Sequence, residues 1–188
     1  MVENKDFYNS DGSFNEEKAK VAYFELMATF NYPIVDRLNG EEFWVADFNL
    51  KNFVEVGMAG IFWIINPEQK YTGVEMFLLP GQSIPEHWHV ATKDASPKFE
   101  SCHVRYGSIT LFTEGKEAPG VEERIPAYQR KIAKARKENI LKAGEIGFAE
   151  KEGEKHWFKA GSEGAIMTEY ATVHDGAGVR FTDPSIVF

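Results

Sequence analysis

The chain has 188 residues, 43% of them hydrophobic and 14% aromatic, with 21 Lys and Arg against 29 Asp and Glu and a formal net charge of −8. That length suits one domain with a sizeable core, and the composition excludes a disordered or fibrous chain. A net anionic surface speaks against nucleic acid or an anionic membrane as partner, because both are held by clustered Lys and Arg.

The opening segment MVENKDFYNSDGSFNEE is polar and acidic and contains no apolar stretch of the kind a secretory signal needs. In SFNEEKAKVAYFELMATFNYP, Ala19, Ala22, Tyr23, Leu26, Met27 and Phe30 recur at the spacing of one helical face. Ser13 and Glu16 stand at capping-box spacing and Pro33 supplies a stop, so the pattern predicts a helix over 14–31. From Phe43 onward the period shortens to that of strands. EFWVADF, FVEVGMAGIFWII, TGVEMFLL, ESCHVRYGSITLFTE, IGFAE, KHWFKA and AIMTEYATVH follow one another, separated by turn-forming NPEQ, PGQ, EGKEAPG, KAGE, AGSEG and HDGAG. Short strands at such intervals predict an all-β sandwich or barrel. The longest apolar run, near Met58 to Ile65, is too short to span a bilayer. The stretch from 121 to 143 breaks the pattern, with seven Lys and Arg and loosely helical apolar positions at Ile125, Tyr128, Ile132 and Ala135. A solvated helix or long excursion is the plain expectation, and a basic patch for an anionic partner the sharper one. Cys102 is the one cysteine, so no intrachain disulfide forms, which suits a reducing, cytoplasmic location.

The candidate chemistry begins in GQSIPEHWHV, residues 81–90. On a strand His87 and His89 point the same way, and two imidazoles about 7 Å apart can grip one ion. In the next strand, alternation puts Lys98, Glu100, Cys102, Val104 and Tyr106 on one face and His103 and Arg105 on the other. A carboxylate facing inward among Cys, Val and Tyr is costly unless paired, protonated or metal-bound. With His156 from EGEKHWFKAG, the set becomes three imidazoles and a carboxylate, a donor set for a divalent first-row ion. Glu169 shares a face with Ala165, Met167 and Ala171, the setting of a buried base with a raised pKa; an outward-facing Glu is the competing assignment. Lys98 shares the face of Glu100 and is placed to donate to a substrate oxygen, or else points to solvent. Trp44, Trp63, Trp88, Phe112 and Trp157 offer apolar faces for a bound ligand, though most aromatics serve a core. Trp88 and His103 should point away from the metal, His174 falls in a loop, and Cys102 reads as a small buried hydrophobe. No Gly-rich loop opens a helix, so nothing suggests a phosphate cradle, and an unphosphorylated substrate is favoured over a phosphorylated one.

The spacing G-x5-H-x-H followed by E-x6-G, carried by Gly81, His87, His89, Glu100 and Gly107, resembles the first motif of the cupin superfamily. Gly144 to His156 resembles the second. The ten-residue gap between His89 and Glu100, the entry LLPGQSIPEHWH, the K-x-E pair, RYG and HWF are together similar to the cupin-type D-lyxose isomerases, over roughly residues 40–185. The resemblance implies a double-stranded β-helix (jelly-roll) barrel over 41–188, with 1–40 as an N-terminal helical extension. It implies a homodimer and a divalent metal, usually Mn²⁺, with Co²⁺, Ni²⁺ or Fe²⁺ not distinguished by sequence. The ligands carried over are His87, His89, Glu100 and His156. Glu169 becomes the proton-transfer acid/base, Lys98 a catalytic and substrate-binding partner, and Arg180 a group that closes the cup on substrate hydroxyls; Arg180 could instead pair with Asp175 or Asp183. The implied reaction interconverts D-lyxose and D-xylulose, and also D-mannose and D-fructose, by proton transfer through a metal-stabilised enediolate. Since one fold hosts many chemistries, an Fe²⁺ cupin dioxygenase and a non-catalytic sugar-binding cupin stand as alternatives.

Overall fold

The computed structural model describes residues 3–149 and 151–187. Among the described residues one α-helix, α1 (Glu16–Thr29), precedes nine strands: β1 (Trp44–Ala46), β2 (Met58–Asn66), β3 (Tyr71–Leu78), β4 (Ser83–His89), β5 (Glu100–Thr113), β6 (Lys137–Lys142), β7 (Ile146–Phe148), β8 (His156–Thr172) and β9 (Val179–Phe181). The helix is shorter than its pattern at both ends, for local reasons. Asn15 is the N-cap, its side chain accepting from the Lys18 N–H at 3.0 Å, while the Ser13 hydroxyl is engaged by Asp11 at 2.6 Å. At the other end Asn31 turns left-handed at φ 52°, and the Tyr32 N–H reaches back to the Met27 carbonyl at 2.8 Å. The helix is therefore ended by an Asn in the left-handed region before Pro33 is reached.

All pairings between strands are antiparallel. The order β1-β2-β3-β8-β4-β9 forms one path, with β5 lying along β8 and carrying β6 and β7 on its other edge. The sheet curls into the jelly-roll barrel, and a parallel bridge between Val56 and Ser83 ties the approach to β2 to the start of β4. The two runs expected on either side of AGSEG are a single strand, β8. The break is absorbed instead as bulges against β5, between Val104 and Tyr106 and between Gly107 and Ile109. Gly107 and Gly164 take φ of 71° and 79° there, and a Cβ on Gly107 would lie 2.1 Å from the Gly164 carbonyl oxygen. Only glycine tolerates that approach. The first bulge also moves Tyr106 off the face expected from alternation. It packs instead beside Phe30 and Tyr32, outside the barrel, because an extra residue in a strand flips every later side chain.

Three apolar clusters hold the layers. Val74, Met76, Leu78, Val104 and Met167 fill the barrel. Phe77, Ile61 and Ile166 point out of the same strands onto Tyr23, Leu26 and Met27 of α1. Being covered on both faces, β3 is buried from Thr72 to Leu78, and its one charged member, Glu75, accepts from the Thr168 hydroxyl at 3.2 Å and the Trp63 indole N–H at 3.3 Å. The third cluster lies under the 121–143 stretch, where Phe112 and Trp157 stack at 3.7 Å beneath Val121, Ile125, Ala133 and Ala135. That stretch is an excursion containing a 3₁₀ turn at Val121–Glu123 and then β6; it has no α-helix. Two of its cations are satisfied internally, Arg124 by Glu138 at 2.5 Å and Arg136 by Glu122 at 2.6 Å. Among the described residues no helix is long and apolar enough to cross a membrane.

Candidate active site

Strand pairing assembles the site from three segments distant in sequence. β4 runs beside the start of β8, so His87 is the register partner of His156. β5 runs beside the far half of β8, which sets Glu100 opposite Ala171 and Cys102 opposite Glu169. The barrel's curvature then brings one donor atom from each of His87, His89, Glu100 and His156 within 4.8 Å of one another. All three imidazoles are buried.

The residues fit a divalent ion. His87 Nδ1 lies 2.8 Å from the Pro85 carbonyl and His156 Nδ1 2.9 Å from that of Glu154. A carbonyl only accepts, so each Nδ1 carries a proton, which leaves each Nε2 as the atom that would bind a metal in the tautomer a metal requires. Neither ring nitrogen of His89 makes a well-formed hydrogen bond although both are buried. Buried imidazole nitrogens without partners are rare unless a ligand takes them. Glu100 offers one oxygen at 2.7 Å to His156 Nε2 and the other at 3.2 Å to His89 Nε2. Burial drives His87 well below its ordinary value, reinforced by His156 and His89, and burial also lowers His89. For Glu100, burial resists ionisation, but Lys98 and His156 hold its carboxyl well below the usual carboxylate range. His156 moves up because Glu100 outweighs its burial.

Beside the cluster lies a second set. Lys98 is buried, its Nζ 2.5 Å from Glu100 Oε2 and 2.6 Å from Glu169 Oε1. Burial disfavours its charge, yet the two carboxylates raise its pKa. Glu169 is 6% exposed, and burial pushes its pKa up to about 7, with the attraction of Lys98 opposing and the repulsion of Glu100 adding. A carboxyl so poised can both accept and return a proton near neutral pH. Both residues face a cavity of about 180 Å³ that also reaches His87, His89 and His174. The His174 ring lies 5.5 Å from that of His89, and burial, aided by the charge of Lys98, lowers its pKa to about 4.

Arg180 is not brought to this cavity. It pairs in register with Trp88 on the outward face, is exposed, and donates to the Ala177 and Val179 carbonyls at 2.6 and 2.8 Å. The guanidinium expected to close the cup does not line this cavity, because alternation on β9 sends Val179 and Phe181 inward and Arg180 out. Trp88 points outward under the Lys155 ammonium, 4.4 Å from its ring, and His103 packs against Tyr170. Of the five candidate aromatics only Trp44 lines the cavity. Sequence reasoning missed the rest of its wall, which includes Phe48, Met58, Phe62, Val74 and Met76. Period-2 alternation along β2 and β3 carried that signal. It also missed Glu86, buried on the opposite face of β4, whose carboxylate accepts from the Lys134 and Ala135 N–H groups at 2.7 and 2.6 Å and from the Thr182 hydroxyl at 2.5 Å.

No protein-family model matches the chain. It is 32% identical over 146 residues to a D-lyxose ketol-isomerase of Cohnella laeviribosi, covering 78% of this chain and 79% of that one. A D-lyxose/D-mannose isomerase of Thermosediminibacter oceani matches at the same 32% identity and the same coverages of 78% and 79%. Among solved structures, an Acinetobacter L-ribose isomerase in complex with L-ribose superposes with a TM-score of 0.69 at 14% identity, covering 90% of this chain and 92% of that one, which bears on the fold alone. Nearly a third of residues shared across three quarters of the length places the chain in the D-lyxose ketol-isomerase family, sugar isomerases built on the cupin barrel.

Proposed function

We propose that the protein interconverts a free aldose and its ketose, D-lyxose with D-xylulose and D-mannose with D-fructose, with a divalent ion held by His87, His89, Glu100 and His156 and with Glu169 as acid and base. The observation that carries the reading is the Glu169 carboxyl, buried against the cavity beside the donor cluster and poised near neutrality. Isomerisation must remove a proton from one carbon and return it to its neighbour, which one carboxyl with a pKa near the working pH performs alone. Lys98 holds that carboxyl by an ion pair of 2.6 Å, and of its three N–H donors two face carboxylates, leaving one for a substrate oxygen. The bound ion, Mn²⁺ in this proposal, would supply the positive charge that polarises the substrate carbonyl. The apolar cavity wall limits water around the reacting carbons, which protects the transferred proton from exchange. A homodimer in a reducing cytoplasm, with Cys102 buried and unoxidised, completes the proposal.

The test strips the protein with chelator, reloads it with Mn²⁺ and follows ketose formation from D-lyxose and D-mannose. Turnover that requires the ion and falls at least about a thousandfold in Glu169→Gln is the expected result. A folded, metal-loaded protein that forms no ketose from any aldose, or a Glu169→Gln variant of full activity, defeats the reading. Oxygen uptake with Fe²⁺ in that case would point to the dioxygenase alternative.

A further inference from the structure

The cavity is chemically divided. Its polar groups gather at one end, where Glu169 and Lys98 adjoin the imidazoles. The register of the sheet continues from Glu169 into Val74 on β3 and then Phe62 on β2. The next inward row runs from Met167 to Met76 and then Gly60, the partner of Trp44 on β1. A Cβ on Gly60 would stand 2.3 Å from the Trp44 ring, so the indole lies directly over β2 where no side chain intervenes, and its ring centre is 6.3 Å from that of Phe62. Val74, Met76 and Met58, which line the same cavity, are almost fully buried. Across three strands, about 10 Å at the usual spacing, this wall presents aliphatic carbon, thioether and aromatic faces, and the Trp44 indole N–H is its single conventional hydrogen-bonding group.

We propose that the site selects aldoses whose distal end is apolar, so that 6-deoxyhexoses are better substrates than the parent hexoses. The inference rests on the isomerase reading above. With the reacting carbons held between Glu169 and the metal ligands, the far end of the substrate lies along the row from Val74 to Phe62 and Trp44. A methyl group there meets side chains of its own kind. A hydroxyl there leaves water without finding an equivalent number of partners, which is the costly case for a buried polar group. Discrimination by an apolar pocket against an added hydroxyl is bounded, on the order of a hundredfold.

The experiment compares kcat/KM of the Mn²⁺-loaded full chain for D-mannose and 6-deoxy-D-mannose in one ketose-forming assay. A preference of about 10- to 100-fold for the deoxy sugar is expected, narrowing at least threefold in Phe62→Tyr, which adds a hydroxyl to the wall without removing carbon. Turnover of both sugars with equal efficiency, or a preference for D-mannose, overturns the specificity while leaving the isomerase intact. Turnover of no aldose by folded, metal-loaded protein overturns the isomerase reading and this inference with it.

Discussion

Replacing Lys98 by Met separates the charge it supplies from the space it fills. In the native protein its ammonium lies 2.6 Å from Glu169 and 2.5 Å from Glu100, with only 8% of the side chain exposed. Glu169 sits at about 7 because burial raises it while Lys98 pulls it down. Removing the cation leaves burial and the repulsion of Glu100 unopposed, so the carboxyl moves further up. An opposite charge at this range is worth about 1–3 pH units, each unit being 1.36 kcal/mol. The base must be ionised to accept a proton, so the acid limb of kcat/KM moves from near pH 7 to about 8–10. At pH 7 the ionised fraction, about one half in the wild type, and with it the activity, falls about 5- to 500-fold, and much of it returns as the pH is raised. The assay is a kcat/KM profile from pH 5 to 10 on Mn²⁺-loaded wild type and Lys98→Met, with bound metal quantified in parallel. If the limb stays in place while the plateau drops, Lys98 acts on substrate alone and its charge does not tune Glu169.

Three further expectations concern the frame around the site. Mn²⁺ at a hundredfold excess over its Kd should stabilise the chelator-treated protein by about 2.7 kcal/mol, roughly 5–10 °C in Tm, and His156→Ala should lose that shift in differential scanning fluorimetry; a shift retained in His156→Ala would place the ion elsewhere. Gly107→Ala should cost about 2 kcal/mol or more, since its Cβ meets a backbone carbonyl at 2.1 Å with φ at 71°, and calorimetry should show Tm lower by about 5 °C; an unchanged Tm refutes the bulge argument. Glu86→Gln weakens three hydrogen bonds to one carboxylate, at an expected cost of about 2 kcal/mol, and loosens β4 beneath His87 and His89. Its signature is faster loss of Mn²⁺ to a competing chelator, and metal retention equal to wild type would limit Glu86 to a structural role.

Local pattern carried much of the architecture. The apolar face of α1 is legible from Ala19 to Phe30, as is the alternation of β4, of β5 as far as Val104, and of β8 around Glu169 from their side chains. Where the reading missed, a longer-range contact outweighed the local signal. Ser13 has good capping chemistry, but Asp11 holds its hydroxyl and Asn15 caps instead. AGSEG has the composition of a turn, yet β5 runs alongside it and makes it part of a strand. The 121–143 stretch has helical spacing, but its apolar residues cover the Phe112–Trp157 stack as an irregular layer, with β6 following. Tyr106 lost its expected face to a bulge that period-2 counting does not register.

For the site, the sequence alone determined which side chains were chemically fit to work together. Three imidazoles and an inward carboxylate are an expensive set to bury without an ion, and a lone Glu among Ala and Met residues is an expensive neighbour. Residue types and spacing carry that information because cost depends on chemistry and face. Only the tertiary structure decided which of them share a cavity. Residues remote in sequence meet through strand register and barrel curvature, and these brought Lys98 between Glu100 and Glu169, drew His174 in from its loop, turned Arg180 outward and laid Trp44 over Gly60. Those placements follow from how far each strand is offset against its neighbour, which depends on packing across the whole barrel.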